Sequence, residues 1–115
     1  MVKLYVPKRG DIIKLSFSPQ VGKEQAGYRP ALVISPQAYN RISHFVLACP
    51  ITNTIKGWRF EVVLSQNMRT SGVVLTDRVR ALDWQERKAK FVEKATSEVV
   101  EEALAKVSAL VSLKN

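Results

Sequence analysis

One cysteine and one histidine in 115 residues leave little room for several familiar chemistries. Cys49 has no partner for an internal disulfide, and its place inside an apolar run fits a buried strand thiol. His44 has no second histidine with which to build a metal centre, and no carboxylate pair stands at ligand spacing. A Ser/His/Asp or Cys/His triad would have to recruit His44, and nothing in the sequence places a nucleophile against it, so it is expected to be a surface strand residue. The glycine patterns GxxxxGK[ST] and GxGxxG, which cradle nucleotide phosphates, do not occur. No metal or cofactor is therefore expected. No apolar run reaches the roughly 18–20 residues of a membrane span. The amino terminus, MVKLYVPKRG, carries charge but no apolar signal core. These absences together predict a cytoplasmic protein that does not enter a membrane.

The composition is that of a folded protein, 46% hydrophobic and 24% charged. Without repeats, low-complexity tracts or a linker, residues 1–115 read as one domain. The net charge of +8 is unevenly placed. Residues 1–90 hold fifteen Lys/Arg against six Asp/Glu, whereas residues 91–115 hold three against four. Basic surfaces of this kind concentrate polyanions and bind nucleic acid phosphates. The same charge also serves solubility alone.

Period-two alternation predicts strands over Ile12–Phe17, Ala31–Ile34, Phe45–Ile51, Phe60–Leu64 and Val73–Leu82, with a weaker sixth over Lys90–Lys94. In the third, Phe45, Leu47, Cys49 and Ile51 fall in phase, and Pro50 argues for an edge or a bulge. In the fourth, Phe60, Val62 and Leu64 oppose Glu61 and Val63. In the fifth, Val73, Leu75, Asp77, Val79 and Ala81 share a face. Pro36–Asn40 suits a short helical turn opened by proline, and Gly57 and Gly72 suit turns. From Thr96 onward Val99, Val100, Ala103, Leu104, Val107, Leu110 and Val111 form one helical stripe, with Thr96 or Ser97 as cap. Its polar face offers Glu101, Glu102 and a single Lys106, so it is a packing helix and not a membrane-surface one. Short strands followed by one helix predict a mainly β (α+β) fold, a small twisted barrel or half-barrel of five to seven strands. A symmetric dimer would cover its sheet edges.

Residues 9–35 are the most informative. Arg9-Gly10-Asp11 reads as the turn that starts the first strand. Between IIKLSF and ALVIS lies SPQVGKEQAGYRP, a polar connection of thirteen residues where most run about 4–6. Its carboxylate, Glu24, and the Arg29 guanidinium suit work on a phosphate, and Pro30 biases Arg29 toward extended backbone. Thr52 and Asn53 follow the third strand. Asp77 interrupts an apolar phase and needs a partner if buried. Each also fits a plainer role: an exposed ion pair for Glu24 and Arg29, a turn cap for Thr52, a loop anchor for Asp77.

The run RGDIIKLSFSPQVGKEQAGYRPALVISPQAYN resembles the signature of the MazF/PemK/Kid toxins of bacterial toxin–antitoxin pairs. CPITNTIKGWRFEVVL and SGVVLTDRVRALD resemble later parts of that family in order and spacing, and the likeness runs from about Pro7 to the terminal helix. The resemblance implies an SH3-like barrel, a homodimer, and a metal-independent, sequence-specific endoribonuclease that cuts single-stranded RNA, chiefly mRNA. It also implies neutralisation by an acidic antitoxin. The catalytic residues it implies are Glu24, Arg29 and Thr52. Contacts to RNA are implied for Phe17, Lys23, Gln25, Tyr28, Asn53, Lys56, Asp77 and Arg78, and Trp58 is a further aromatic able to stack on a base.

In such a reaction the ribose 2′-OH attacks the phosphorus, leaving a 2′,3′-cyclic phosphate and a free 5′-OH. Glu24 would serve as base, Arg29 as the cationic clamp and Thr52 as a hydroxyl orienting the phosphate. Arginine stays charged, which leaves the acid at the leaving oxygen open. The chain departs from some relatives at three places. Lys23 replaces a histidine, Leu75 stands where the Kid branch has an arginine, and Arg78 replaces a glutamine. The alternative is a non-catalytic gyrase poison of the same fold, like CcdB, but Val111-Ser112-Leu113-Lys114-Asn115 lacks the tryptophan those proteins use.

Overall fold

The computed structural model describes residues 4–17 and 27–114. The first two predicted strands form Asp11–Ser16 (β1) and Tyr28–Val33 (β2), antiparallel, with Ile12 opposite Leu32 and Ser16 opposite Tyr28. Gln37–Ser43 (α1), Phe45–Thr52 (β3), Glu61–Val63 (β4) and Val73–Leu75 (β5) follow. Arg80–Asp83 (β6), Lys90–Lys94 (β7) and Ser97–Ser112 (α2) complete the order. The hydrogen-bonded path runs β4-β5-β3-β2-β1-β7, and β6 pairs with β3 beside it. The expected small β barrel with a terminal helix is present, as a twisted sheet that stays open.

Alternation along β1 sends successive side chains to two cores. Ile12 joins Leu32, Cys49, Ile51, Val62 and Val74 under Val99 and Ala103 of α2. Ile13, Leu15 and Phe17 join Ala31, Val33, Val46, Ala48, Leu82 and Trp84 on the other side. A central strand buried on both faces has no polar alternation, which explains the uniformly apolar Ala31–Ile34. Burial pushes the Cys49 thiol up to about 12, with the negative charge of Asp77 adding to the shift. The Thr96 hydroxyl caps α2 by accepting the Val99 N–H at 3.4 Å. The apolar stripe of α2 stops short of Val111, which is exposed.

Four other expectations are corrected. Val73–Leu82 is not one strand. The Thr76 N–H and hydroxyl both donate to the Phe60 carbonyl, at 3.2 and 2.5 Å, and the chain turns through a 3-10 segment, Thr76–Arg78. Beyond that turn Leu82, not Ala81, faces the core. His44 is exposed but belongs to no strand. It closes α1 in left-handed backbone, φ 66°, and its ring nitrogen lies 3.2 Å from the Gln85 side chain.

Pro50 sits neither at an edge nor in a bulge. It lies opposite Ala31 of β2, at the point where β3 changes its other neighbour. β6 pairs with β3 up to Ala48, and β5 takes over at Ile51. The Leu47 N–H and C=O both bond on the β2 side, so alternation aims the Pro50 nitrogen at the gap between β6 and β5, where no ladder needs a donor. The predicted phase of β3 also divides. Cys49 and Ile51 are buried, while Phe45 and Leu47 of the same face are exposed and Val46 and Ala48 fill the second core.

Candidate functional site

At the far end of β3, past the change of neighbour, the structure has a cleft of about 480 Å³. Thr52 from the end of β3, Thr54, Lys56 and Trp58 from the following turn, and Leu75, Asp77 and Arg78 around the 3-10 segment line it, with Glu61 at its base. Five of the residues singled out from sequence therefore meet in one place: Thr52, Lys56, Trp58, Asp77 and Arg78. The Thr52 hydroxyl is half-buried and accepts the Thr54 N–H at 3.1 Å. Gly72 packs against the Thr52 carbonyl at φ 108°, a left-handed backbone with no room for a Cβ.

Arg29 lies on β2, beside β3, opposite Leu15 on the β1 side. The β2–β3 ladder pairs Ala31 with Pro50. The same register continued by two residues sets Arg29 against Thr52, side chains to a common face. Arg29 is exposed.

Asp77 is not the buried member of a strand that its spacing suggested. The 3-10 turn swings it to the surface, where its Oδ2 accepts the Trp58 indole N–H at 3.3 Å. Phe17 is also corrected. It is a core side chain with the Arg80 guanidinium 5.8 Å from its ring centroid, so it has no face to offer a base. Tyr28 is 44% exposed, and its hydroxyl donates to the Lys88 carbonyl at 2.6 Å; desolvation raises its pKa. Asn53 is exposed beside the cleft and accepts the Ser71 hydroxyl at 2.9 Å. Lys23, Glu24 and Gln25 lie outside the described residues. Among the described residues no three His, Cys, Asp or Glu side chains converge on a metal-sized site, and no helix is long and apolar enough to cross a membrane.

Sequence reasoning missed Glu61. Period two placed it outward, yet it is only 7% exposed. Its Oε1 accepts the Gly57 and Trp58 N–H groups at 3.0 and 3.4 Å, and its Oε2 accepts that of Lys56 at 3.1 Å. The available signal was the spacing Lys-Gly-Trp-x-x-Glu, a glycine turn that closes within reach of one carboxylate. Chemically, the cleft offers a hydroxyl, cations, a carboxylate and an indole face, a set suited to a phosphodiester flanked by bases.

Residues 8–111 match the family described as PemK-like, MazF-like toxin of type II toxin–antitoxin system. The chain is 42% identical to the endoribonuclease toxin MazF of Escherichia coli K12 over 111 residues, covering 96% of this chain and 99% of that one. A crystal structure of MazF from Deinococcus radiodurans superposes with a TM-score of 0.89 at 45% identity, covering 95% and 99% of the two chains. A MazE–MazF structure from the same organism gives 0.86 at 44% identity, covering 96% of this chain and 99% of its MazF chain.

Proposed function

The chain belongs to the PemK-like, MazF-like toxin family, and we propose how it works within that family. It is an endoribonuclease toxin, as the relative from E. coli is named, and an antitoxin holds its activity in check, a reading supported by the family's description as a toxin of type II toxin–antitoxin system. Its substrate is single-stranded RNA, chiefly mRNA in the cytoplasm. The observation that carries this reading is the shared end of β2 and β3. There the register of Ala31 with Pro50, continued by two residues, brings Arg29 level with Thr52, and Thr52 lines a cleft with Lys56, Trp58, Asp77 and Arg78. The relatives' names favour this reading over gyrase poisoning.

The RNA supplies its own nucleophile. Glu24 takes the proton from the ribose 2′-OH, and the oxygen attacks the adjacent phosphorus. Arg29 holds the non-bridging oxygens as negative charge builds on them, and the Thr52 hydroxyl fixes the phosphate. The bond to the 5′-oxygen breaks and that oxygen takes a proton from solvent water, giving a 2′,3′-cyclic phosphate and a 5′-OH, while Glu24 returns its proton to solvent. No metal enters this scheme.

The working form is a homodimer, since β4 and β7 end the sheet as edges that symmetric pairing can cover. An acidic antitoxin segment laid on the basic surface of residues 1–90 would block RNA. Such a complex weakens in ~1 M salt, where the Debye length is only about 3 Å.

Pure protein incubated with a long RNA in EDTA should give new ends bearing cyclic phosphate and 5′-OH. Arg29→Ala should lower kcat by about 10²–10³-fold, and Thr52→Ala by about 10²-fold, both with the fold retained. Cleavage that requires magnesium, or that survives both substitutions, would overturn the scheme.

A further inference from the structure

The cleft rests on a carboxylate whose two oxygens are both engaged by the backbone of its own turn. The charge of Glu61 is met by three successive backbone N–H groups, those of Lys56, Gly57 and Trp58. The turn is closed a second time by the Glu61 N–H on the Trp58 carbonyl at 2.9 Å. Gly57 stands at φ 72°, the left-handed backbone that lets three donors converge. From the other side the Lys106 ammonium of α2 donates to the Glu61 carbonyl at 2.9 Å and pairs with Glu102 at 3.0 Å. The turn is thus fixed to β4, and β4 to the terminal helix.

What this turn presents is Trp58. Its indole N–H is held by Asp77, and its ring meets Phe60 edge to face, centroids 5.4 Å apart. With its edge and backbone both fixed, the ring still stands 52% exposed in the cleft. An exposed aromatic normally loses side-chain freedom when a base settles on it; this one has lost much of that freedom already.

We propose that Trp58 is a base-stacking residue for the RNA strand and that Glu61 is its positioning residue. The proposal rests on the ribonuclease reading above and assigns a contact beside the scissile phosphate. Stacking on a flanking base is felt equally in the bound substrate and in the transition state, so its loss raises KM and leaves kcat nearly unchanged.

The test uses a short single-stranded RNA containing a mapped cleavage site. Trp58→Ala should raise KM about 10-fold with kcat within about twofold. Trp58→Phe, which keeps a ring but loses the bond to Asp77, should fall between. Glu61→Gln turns an amide N–H₂ against backbone donors and should raise KM as Trp58→Ala does. The double variant should be no worse than either single one, because one acts through the other. RNA should quench indole emission in the wild type and less so in Glu61→Gln.

An unchanged KM in Trp58→Ala would overturn the stacking role, and a fall in kcat alone would do the same. Additive effects in the double variant would reduce Glu61 to a structural residue. If Glu61→Gln fails to fold, the Trp58 pair decides the stacking role, and emission quenching in Glu61→Asp decides the positioning one. A wild-type protein that cuts no RNA would remove the ribonuclease reading itself, an outcome distinct from wild-type cleavage with an indifferent Trp58.

Discussion

Asp11 and Glu61 use one physical device at two places, and they differ in what lies beyond the turn each one holds. Both are buried acids that accept N–H groups from a tight turn just before them. At Asp11 a single oxygen, Oδ2, takes the Lys8 N–H at 3.0 Å and the Tyr5 hydroxyl at 2.6 Å, and the buried Oδ1 has no partner among the described residues. Desolvation, with that hydrogen bond, raises the Tyr5 pKa far above its ordinary value. The Asp11 turn leads straight into Ile12 and Ile13, which are wholly buried. The Glu61 turn instead faces a cleft and shares three donors between both oxygens. A buried carboxylate beneath a turn therefore does not by itself mark a site. What the turn displays decides.

Three perturbations sharpen or break that contrast. The largest effect is expected from Gly72→Ala, which puts a Cβ into the Thr52 carbonyl at a positive φ. It should destabilise the protein by about 3 kcal/mol or more in urea titration and lower cleavage in the fraction that still folds, since Thr52 must move. Normal kcat in that variant would mean that the end of β3 is not where chemistry occurs.

Asp11→Ala should cost about 2–3 kcal/mol, because it leaves the Lys8 N–H and the Tyr5 hydroxyl unsatisfied. Tyr5→Phe should cost about 1 kcal/mol. In both, the KM for RNA should stay at the wild-type value, opposite to Glu61→Gln; a raised KM would erase the distinction between the two turns.

The smallest effect concerns Glu93, which holds a third turn. Desolvation would raise its pKa, but bonds from the Thr70 hydroxyl and from the Thr70 and Arg69 N–H groups outweigh it and lower the value below the ordinary 4.5. The unfolded chain takes up the proton first, so the contribution is complete above about pH 4.5 and is lost as pH falls through the lower folded value. Wild type and Glu93→Gln should thus differ in Tm at pH 6 and draw together as the pH is lowered below 4.5; a gap that widens in acid would contradict this sign.

Much of the fold was legible because its strongest signals are local. The β1 alternation, the apolar β2 and the α2 stripe each follow from one element and one core. Residues whose roles depend on a distant carbonyl or turn were not legible. Thr76 looked like any strand threonine until Phe60, sixteen residues earlier, supplied the acceptor that breaks the strand. That break carried Asp77 out of its supposed phase and into contact with Trp58. Phe17 was ambiguous for a related reason, since an aromatic in phase with Ile13 and Leu15 is core by period and a stacking candidate only by family likeness. At the site, Thr52, Lys56, Trp58, Asp77 and Arg78 line one cleft, while Glu61 stayed hidden because period two ignores backbone donors.

Pro50 has a further consequence as a stop. β6 zips along β3 from Phe45 to Ala48, and two residues further on the next outward-facing donor is missing. An invading strand therefore cannot extend its hydrogen bonds past that imino nitrogen, and a sliding one gains nothing by advancing. β6 is thereby kept from the end of β3, where Thr52 pairs with Val73 of β5 and lines the cleft, so a cleft meant to receive a strand of nucleic acid is protected from being filled by that strand of protein.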